Sequence, residues 1–470
     1  MNAAALAELG RCCPQTTFLT TAELVAPYLV DERALFHGRA LAVALPETTA
    51  AVSELMHFCY AHEIPMVPQG GNTGYCGGAT PDTSGAALII SLSRLNRIRG
   101  INPSSFTLTA EAGLTLAHVQ QAAAKHQLLF PLSMGSEASC QIGGNLSTNA
   151  GGVAVLRYGM ARDLVLGLEV VLPNGEIWDG LTALRKDNTG YDIKQLFLGA
   201  EGTLGVITAA VLKLYPASTQ RETAWLAVAD LPAASALLGL ARRLLNDCVT
   251  SFEYLSLTAL ELVLAQVPET RNPFAERHAH HVLLEVSASG ESIDLRGGLL
   301  ALFEAAQREH LVLDAVLAET LAQRTDFWRL REKIPVAERA AGGSVKHDVA
   351  VMLASVPELA ERASRAVLAK FPTVRLSLYG HLGDGNLHFN ILAPATEDAM
   401  AFRTRNAEQL SKLVHATAAE LNGSFSAEHG VGQLKRGLLA ATKSPVALRL
   451  MRQIKQTLDP KGLMNPGKVL

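Results

Sequence analysis

The hydrophobic pattern becomes legible from Thr48, where Val52, Leu55, Met56 and Cys59 recur at i, i+3, i+4 and i+7 and predict an amphipathic helix. Before it, the opening residues to about position 40 mix polar and apolar types with no clear period. A short extended run at Pro65–Pro68 leads into a glycine cluster, and Ala87–Ser91 reads as an apolar strand. Phe106, Leu108, Ala110 and Ala112 alternate with polar residues, as in a half-buried strand. A helix is expected over Thr115–Gln127, a second glycine-rich stretch over Gly135–Gly159, and strands over Leu166–Leu172 and Leu204–Tyr215. This half predicts an α+β arrangement with ligand loops.

After Pro216 glycine thins and regular elements dominate. Thr223–Ala229 alternates like a strand, Pro232 sits where a helix can begin, and Leu237, Leu238, Ala241, Leu244 and Leu245 form its apolar stripe. Further strands are expected at Ser251–Leu255, Val282–Ser287 and Lys346–Leu353, and as a pair at Val374–Tyr379 and Leu387–Leu392. Helices are expected over Ser292–Glu309, Val356–Lys370 and Glu397–Leu421. The order predicts an antiparallel sheet covered by helices on one side, in two similar halves. Boundaries are placed near Pro216 and Gly430: a first part at 1–216 (core about 36–216), a second at 217–430, and a segment at 431–470 returning to the first.

The bulk numbers narrow the classes. A chain of 470 residues with 49% hydrophobic and 18% charged residues has apolar surface for a sizeable core. A net charge of -3 with no basic stripe argues against nucleic acid as a partner. Leu231–Leu245 is interrupted by Arg242 and Arg243, so no membrane span is expected. Met1–Gly10 lacks the basic start and apolar run of a leader. The six cysteines form no CxxC pair, which predicts reduced thiols in a cytoplasm and no iron–sulfur centre.

Neither GxGxxG nor GxxxxGK[ST] occurs. Instead Pro68-Gln69-Gly70-Gly71-Asn72-Thr73-Gly74-Tyr75-Cys76-Gly77-Gly78 follows a predicted strand. Successive N–H groups in such a turn make a concave anion nest, and glycine allows close approach to a diphosphate. Ser139-Cys140-Gln141-Ile142-Gly143-Gly144-Asn145-Leu146-Ser147-Thr148-Asn149-Ala150-Gly151-Gly152 and Gly199–Thr208 add neutral donors. Three nearly uncharged loops suit a large, mostly neutral cofactor with one diphosphate; each alone also reads as an ordinary glycine-rich loop.

These segments resemble the vanillyl-alcohol-oxidase-type FAD domain over about Phe36–Pro216. The resemblance implies FAD between two α+β lobes, contacted by Gly70, Gly71, Asn72, Thr73, Gly74 and Tyr75 at the diphosphate and by Glu201, Gly205, Val206 and Ile207 along the adenosine and flavin. Gly135, Ser139, Gly143, Gly144, Asn145, Asn149, Gly151 and Asn465 complete the expected cofactor set. The first loop has no histidine, and Cys76 and Cys140 read as buried hydrophobes, so FAD is expected to be non-covalent.

In the second half, Gly383-Asp384-Gly385-Asn386 is turn chemistry that brings His381 near His388, while His388 and Asn390 share a strand face. Two imidazoles so placed suit a divalent metal, and Glu428 in Ala427-Glu428-His429-Gly430-Val431-Gly432 supplies a third ligand. Two satisfied histidines beside a tight turn are the alternative. His381–His388, Ala427–Gly432 and Asp459–Lys468 resemble the HxGDGNxH, AEHGxG and DPxGxxNPGK patterns of FAD-linked 2-hydroxy acid dehydrogenases, a family that includes D-lactate and D-2-hydroxyglutarate dehydrogenases and the glycolate oxidase flavin subunit.

That resemblance implies roles. His381, His388 and Glu428 would hold zinc or manganese, His429 would be the base, and Asn390 would touch the substrate. Trp328–Glu332 matches the family's WxxRE helix, so Arg331 would clamp the substrate carboxylate, assisted by Lys346 at the opening of the next strand. Pro335 stands where the 2-hydroxyglutarate enzymes carry a hydroxyl residue, which weakens that particular substrate. The expected activity is oxidation of a D-2-hydroxy acid, such as D-2-hydroxyglutarate, D-lactate or D-malate, to the 2-keto acid by metal-assisted hydride transfer to FAD. The alternatives are a flavin subunit of a glycolate-oxidase-like complex, an FAD oxidase of another alcohol, and a zinc hydrolase, for which the glycine loops would be purposeless. Electrons would leave to a separate acceptor, an electron-transfer flavoprotein or a quinone-linked carrier, and a homodimer is compatible with the pattern.

Overall fold

The computed structural model describes residues 3–290 and 292–470, so Met1 and Asn2 of the segment read as leader-free lie outside the described residues. The chain divides into two compact units: Met1–Gly151, Gly159–Ala217 and Glu428–Leu470 form one, Gly152–Tyr158 and Ser218–Ala427 the other.

The first unit holds two sheets. Ala42–Pro46, Leu88–Ser91 and Met66–Gln69 pair in parallel, with Thr16–Leu19 antiparallel at one edge. Ala42–Pro46 and Leu88–Ser91 are buried throughout, as parallel strands covered on both faces are. The crossover helix Thr49–Ala61 starts where the Thr48 hydroxyl accepts from the Ala51 N–H at 3.1 Å. A five-stranded antiparallel sheet runs in the order Ile98–Asn102, Thr107–Glu111, Val206–Lys213, Val165–Val171, Ile177–Gly180. Two expectations need correction here. The aperiodic opening contains a helix, Ala3–Cys12, and the edge strand Thr16–Leu19. The glycine-rich stretch is not all loop: Ile142–Ser147 is a short helix, seated because the Gly143 N–H donates to the Ala112 carbonyl at 2.7 Å, too close for a side chain.

The second unit is built on an eight-stranded antiparallel sheet, ordered Val312–Leu317, Gln220–Val228, His280–Ala288, Val249–Ser256, Arg375–His381, Asn386–Leu392, Ser344–Val345, with Asp348–Ala350 also on Asn386–Leu392. Helices cover both of its faces, not one. Leu231–Leu245, Leu295–Arg308, Val356–Lys370 and Ala399–Glu420 pack over Ala224, Leu226, Phe252 and Leu284. Leu257–Gln266, Leu321–Glu332 and Ile334–Ala340 pack over the opposite side chains, Trp225, Leu255, Leu283 and Tyr379. The physical reason is in the strand: Ala224–Val228 is apolar without alternation, the composition of a strand buried on two sides. The strand expected at Lys346–Leu353 is broken, leaving Lys346 and His347 between Ser344–Val345 and Asp348–Ala350. His347 binds the neighbouring strand through its side chain, Nδ1 lying 2.6 Å from the Phe389 carbonyl.

Candidate active site

In the first unit the glycine loops separate into tight and open positions. At Gly71 an added Cβ would strike the Ser139 carbonyl oxygen, and at Gly143 it would lie 2.7 Å from the Ala112 Cβ. Gly74, Gly135 and Gly144 face open space. Loop meets loop at the first set, and room for a ligand lies at the second. Gln69 closes the first loop across its base, its Nε2 donating to the Tyr28 and Ala79 carbonyls at 3.0 and 2.8 Å. Asn72, at φ 53°, donates to the Val30 carbonyl at 2.8 Å. Four buried polar atoms around these loops have no protein partner: Thr80 Oγ1, Gln141 Oε1, Asn145 Oδ1 and Asn465 Oδ1. Gln141 Oε1 is also 3.5 Å from the Cβ position of Gly70. Buried orphans are costly, so their concentration beside an open glycine cradle fits a polar cofactor such as FAD.

The remaining expected cofactor residues divide between cradle and frame. Thr73, Tyr75 and Ser139 lie in the two loops, and Gly151 ends the first unit's opening segment. Asn149 Oδ1 accepts from the Arg162 N–H at 3.0 Å. Val206 and Ile207 bury their side chains in the five-stranded sheet, and Gly205 packs on Val170.

Glu201 serves the C-terminal segment: its carboxylate accepts from the Val431 and Gly432 N–H groups, both at 2.7 Å. Burial nevertheless pushes its pKa up, against the pull of those two donors. Asn465 ties Gly78 to Glu201 through both carbonyls, at 2.9 and 2.8 Å. Lys455 donates to the Thr203 and Met464 carbonyls and to Asp459. His429, two residues before this clamp, sets its ring edge-on to Tyr75 at 4.9 Å between centroids.

In the second unit the sheet face beneath Leu321–Glu332 and Ile334–Ala340 collects the charged chemistry. The predicted hairpin exists: Arg375–His381 and Asn386–Leu392 pair with Tyr379 opposite His388 and Ser377 opposite Asn390. His381 and His388 have ring centroids 5.7 Å apart, with ligating nitrogens within 4.8 Å. Glu253 Oε1 lies 2.8 Å from His381 Nδ1 and its Oε2 2.8 Å from Arg331 Nε. A carboxylate beside a guanidinium only accepts, so His381 carries its proton on Nδ1 and keeps the Nε2 lone pair for a ligand. His388 Nδ1 stands 3.8 Å from Asp348 Oδ1. Arg331, 6% exposed, lies over the Tyr379 ring at 4.9 Å. Asn390 donates to both oxygens of Glu338, at 3.1 and 3.0 Å, and Lys346 Nζ is 3.4 Å from the same carboxylate.

Thus Arg331, Lys346, His381, His388 and Asn390 share one unit and a bonded network, while His429 and the glycine loops belong to the other. Glu428 begins the last segment of the first unit, covalently next to Ala427, whose N–H donates to the Asp348 carbonyl at 3.2 Å. The donor types, two imidazoles and a carboxylate, fit zinc or manganese. Sequence reasoning missed Glu253, Glu338 and Asp348. The available signal was a carboxylate inside an apolar strand, Phe252-Glu253-Tyr254, where burial demands a partner.

Comparison with known proteins identifies the family. Residues 219–469 match the family described as FAD linked oxidases, C-terminal domain, and residues 40–180 match an FAD binding domain. The chain is 37% identical over 435 residues to a mitochondrial D-2-hydroxyglutarate dehydrogenase from Arabidopsis thaliana, covering 93% of this chain and 76% of that one. It is 34% identical over 455 residues to a D-2-hydroxyglutarate–pyruvate transhydrogenase from Saccharomyces cerevisiae, covering 95% and 90%. Among solved structures, p-cresol methylhydroxylase with substrate bound shares the fold, with a TM-score of 0.76 at 16% identity over 100% of this chain and 97% of that one. With a vanillyl-alcohol-oxidase-type fold and these relatives, the chain belongs to the FAD-linked D-2-hydroxy acid dehydrogenase family and is an FAD-dependent oxidoreductase.

Proposed function

We propose that this enzyme oxidises a D-2-hydroxy acid to the 2-keto acid, with D-2-hydroxyglutarate the first candidate and D-lactate and D-malate behind it. The names of the relatives favour D-2-hydroxyglutarate, and Pro335 is the residue that speaks for a different side chain. The observation that carries the reading is the bonded set on one sheet face: Arg331, His381, His388, Asn390 and Lys346, joined through Glu253, Tyr379 and Glu338.

Arg331 and Lys346 hold the C1 carboxylate, Arg331 through the two terminal nitrogens that its Nε contact with Glu253 leaves over. Asn390 fixes the rest of the substrate, and His429 accepts the hydroxyl proton, imidazole being the base whose pKa lies nearest neutrality. His381, His388 and Glu428 bind a divalent metal, zinc or manganese, which when bound supplies Lewis acidity to the hydroxyl. FAD, bound non-covalently in the 1–216 part closed by residues 431–470, supplies the hydride acceptor. The 217–430 part carries the substrate.

The electron acceptor is a separate molecule, an electron-transfer flavoprotein or a quinone-linked carrier; the transhydrogenase relative supports a second keto acid as the competing choice. Six free cysteines support a reducing compartment such as the cytoplasm, and no helix among the described residues is long and apolar enough to cross a membrane. The deciding experiment is a screen of the purified protein with a dye acceptor and both enantiomers of 2-hydroxyglutarate, lactate and malate, with glycolate as the achiral member. One D-acid should dominate in kcat/KM. Equal rates for D and L acids, or turnover of phenols alone, would overturn the reading.

A further inference from the structure

Glu253 is 1% exposed and stands in the middle of the strand Val249–Ser256. In the antiparallel ladder it is paired directly with His381, so their approach is set by the sheet and not by two flexible side chains. Its two oxygens are divided: one meets His381 Nδ1 and the other Arg331 Nε, each at 2.8 Å. Burying such a group contributes little net stability, because a well-packed apolar replacement does as well or better. Its place at the sheet centre calls for another reason, and its two partners supply one.

We propose that Glu253 is a positioning residue that couples the metal site to the carboxylate clamp, fixing His381 as a ligand through one oxygen and Arg331 through the other. The inference rests on the proposed roles of His381 and Arg331 and adds a residue and a linkage to them. Through Oε1, Glu253 holds the imidazole proton on Nδ1, which frees Nε2 for metal and raises its basicity. Through Oε2, it fixes the guanidinium so that the two terminal nitrogens project away from the strand. Glu338 does comparable work for Asn390 and Lys346, and its bonds run to those two and to Ser344. Because one carboxylate is shared, a change at either partner must be felt at the other, as linkage requires.

Glu253→Gln is the direct test. An amide presents one acceptor and one donor where two acceptors are needed, so either His381 shifts its proton to Nε2 or Arg331 loses its partner. The readout is the Zn2+ dissociation constant of the flavin-loaded protein, by competition with a chromophoric chelator. Loss of an outer carboxylate should weaken Zn2+ binding by roughly 10–100-fold while flavin content stays unchanged. Glu285→Gln is the control: Glu285 is also buried, on the adjacent strand, but bonds Trp328 and Thr223, and its loss should leave Zn2+ affinity unaltered. If Glu253→Gln does not fold, Arg331→Met decides. Freed of its cation, Glu253 should bind the His381 proton more strongly and tighten Zn2+ severalfold. Wild-type Zn2+ affinity in Glu253→Gln, or in Arg331→Met, overturns the coupling. A wild-type protein that binds no Zn2+, and does not differ from His388→Ala, overturns the metal reading beneath it instead.

Discussion

The two units build their sites from different materials. In the first, the ligand cradle is main chain: glycines tight against Ser139 at Gly71 and against Ala112 at Gly143, open at Gly74 and Gly144, with neutral amides and hydroxyls around them. In the second, the site is side chain: Arg331, His381, His388 and Asn390, held by the buried carboxylates Glu253 and Glu338. A backbone site tolerates exchange of most side chains but not the addition of a methyl at a contact. A side-chain site inverts that sensitivity. Each is built to suit its ligand, a large nearly neutral cofactor in one case and a small anion in the other.

The sharpest way to break the contrast is a pair of reciprocal lesions. Gly71→Ala, whose Cβ would strike the Ser139 carbonyl oxygen, should cost on the order of 3 kcal/mol and strip FAD from the protein, while metal content survives. Gly74→Ala, in open space, should retain FAD and serves as its control. His388→Ala, or dialysis against a chelator, should abolish turnover with the flavin spectrum intact. Absorbance at the flavin band and metal analysis of the same samples check both. If metal removal also bleached the flavin, the two sites would not be chemically separate.

Arg331→Ala should follow, with a loss of roughly a hundredfold or more in kcat/KM, about 3 kcal/mol for a charged bidentate contact in a desolvated site. Arg331→Lys should recover little of it, because an ammonium cannot serve both Glu253 and a planar carboxylate. His429→Ala should fall mainly in kcat, since a proton acceptor acts in the transition state. Unaltered steady-state kinetics in Arg331→Ala would remove the second unit's anion site.

The same contrast explains what could be read in advance. Local features were legible: the helix Val356–Lys370 has the bounds its pattern predicts, and the Gly383–Asn386 turn joins the expected strand pair. What could not be read is set by partners distant in the chain. Glu253 looks like a solvated charge until it is known that the strand carrying His381 pairs with its own, 128 residues away. Alternation over Thr223–Ala229 predicts helices on one sheet face, whereas the unbroken apolar run Ala224–Val228 within it signals burial on both. The partner of the Glu201 carboxylate was hidden in the same way: it accepts from the Val431 N–H, 230 residues on.

A smaller lesion sharpens the account of the backbone site. Asn465→Ala removes two donors from the half-buried Gly78 and Glu201 carbonyls and should weaken FAD binding by about tenfold to a hundredfold, 1–3 kcal/mol. Asn465→Asp should be as poor, since a carboxylate cannot donate to either carbonyl. Titration of apoprotein with FAD, followed by fluorescence quenching, measures it. Wild-type affinity in Asn465→Ala would mean that the tail is dispensable to the cradle.

The smallest effect separates the units by pH. His281 is fully buried in the second unit, with Nδ1 accepting from Trp225 Nε1 at 3.2 Å and Nε2 3.0 Å from the His278 carbonyl, so it is neutral with its proton on Nε2. Burial lowers its pKa to about 4, from about 6.5 in an unfolded chain. Between those values the unfolded state binds a proton that the folded state refuses, so stability falls as pH drops, by at most about 1.4 kcal/mol per pH unit. Lys468, in the first unit, is lowered by burial to about 8 from 10.5. In the window between, the unfolded lysine again holds the extra proton, so stability there rises with pH. Acid should therefore loosen the second unit first, and mild base should tighten the first. Hydrogen exchange corrected for intrinsic rates should show His280–Ala288 losing protection between pH 7.5 and 5.5, by about 1.4 kcal/mol, while Leu88–Ser91 stays level. In His281→Asn the slope should flatten. Equal acid loss in both strands, or an unchanged slope in His281→Asn, would show that the difference between the units does not extend to their titration.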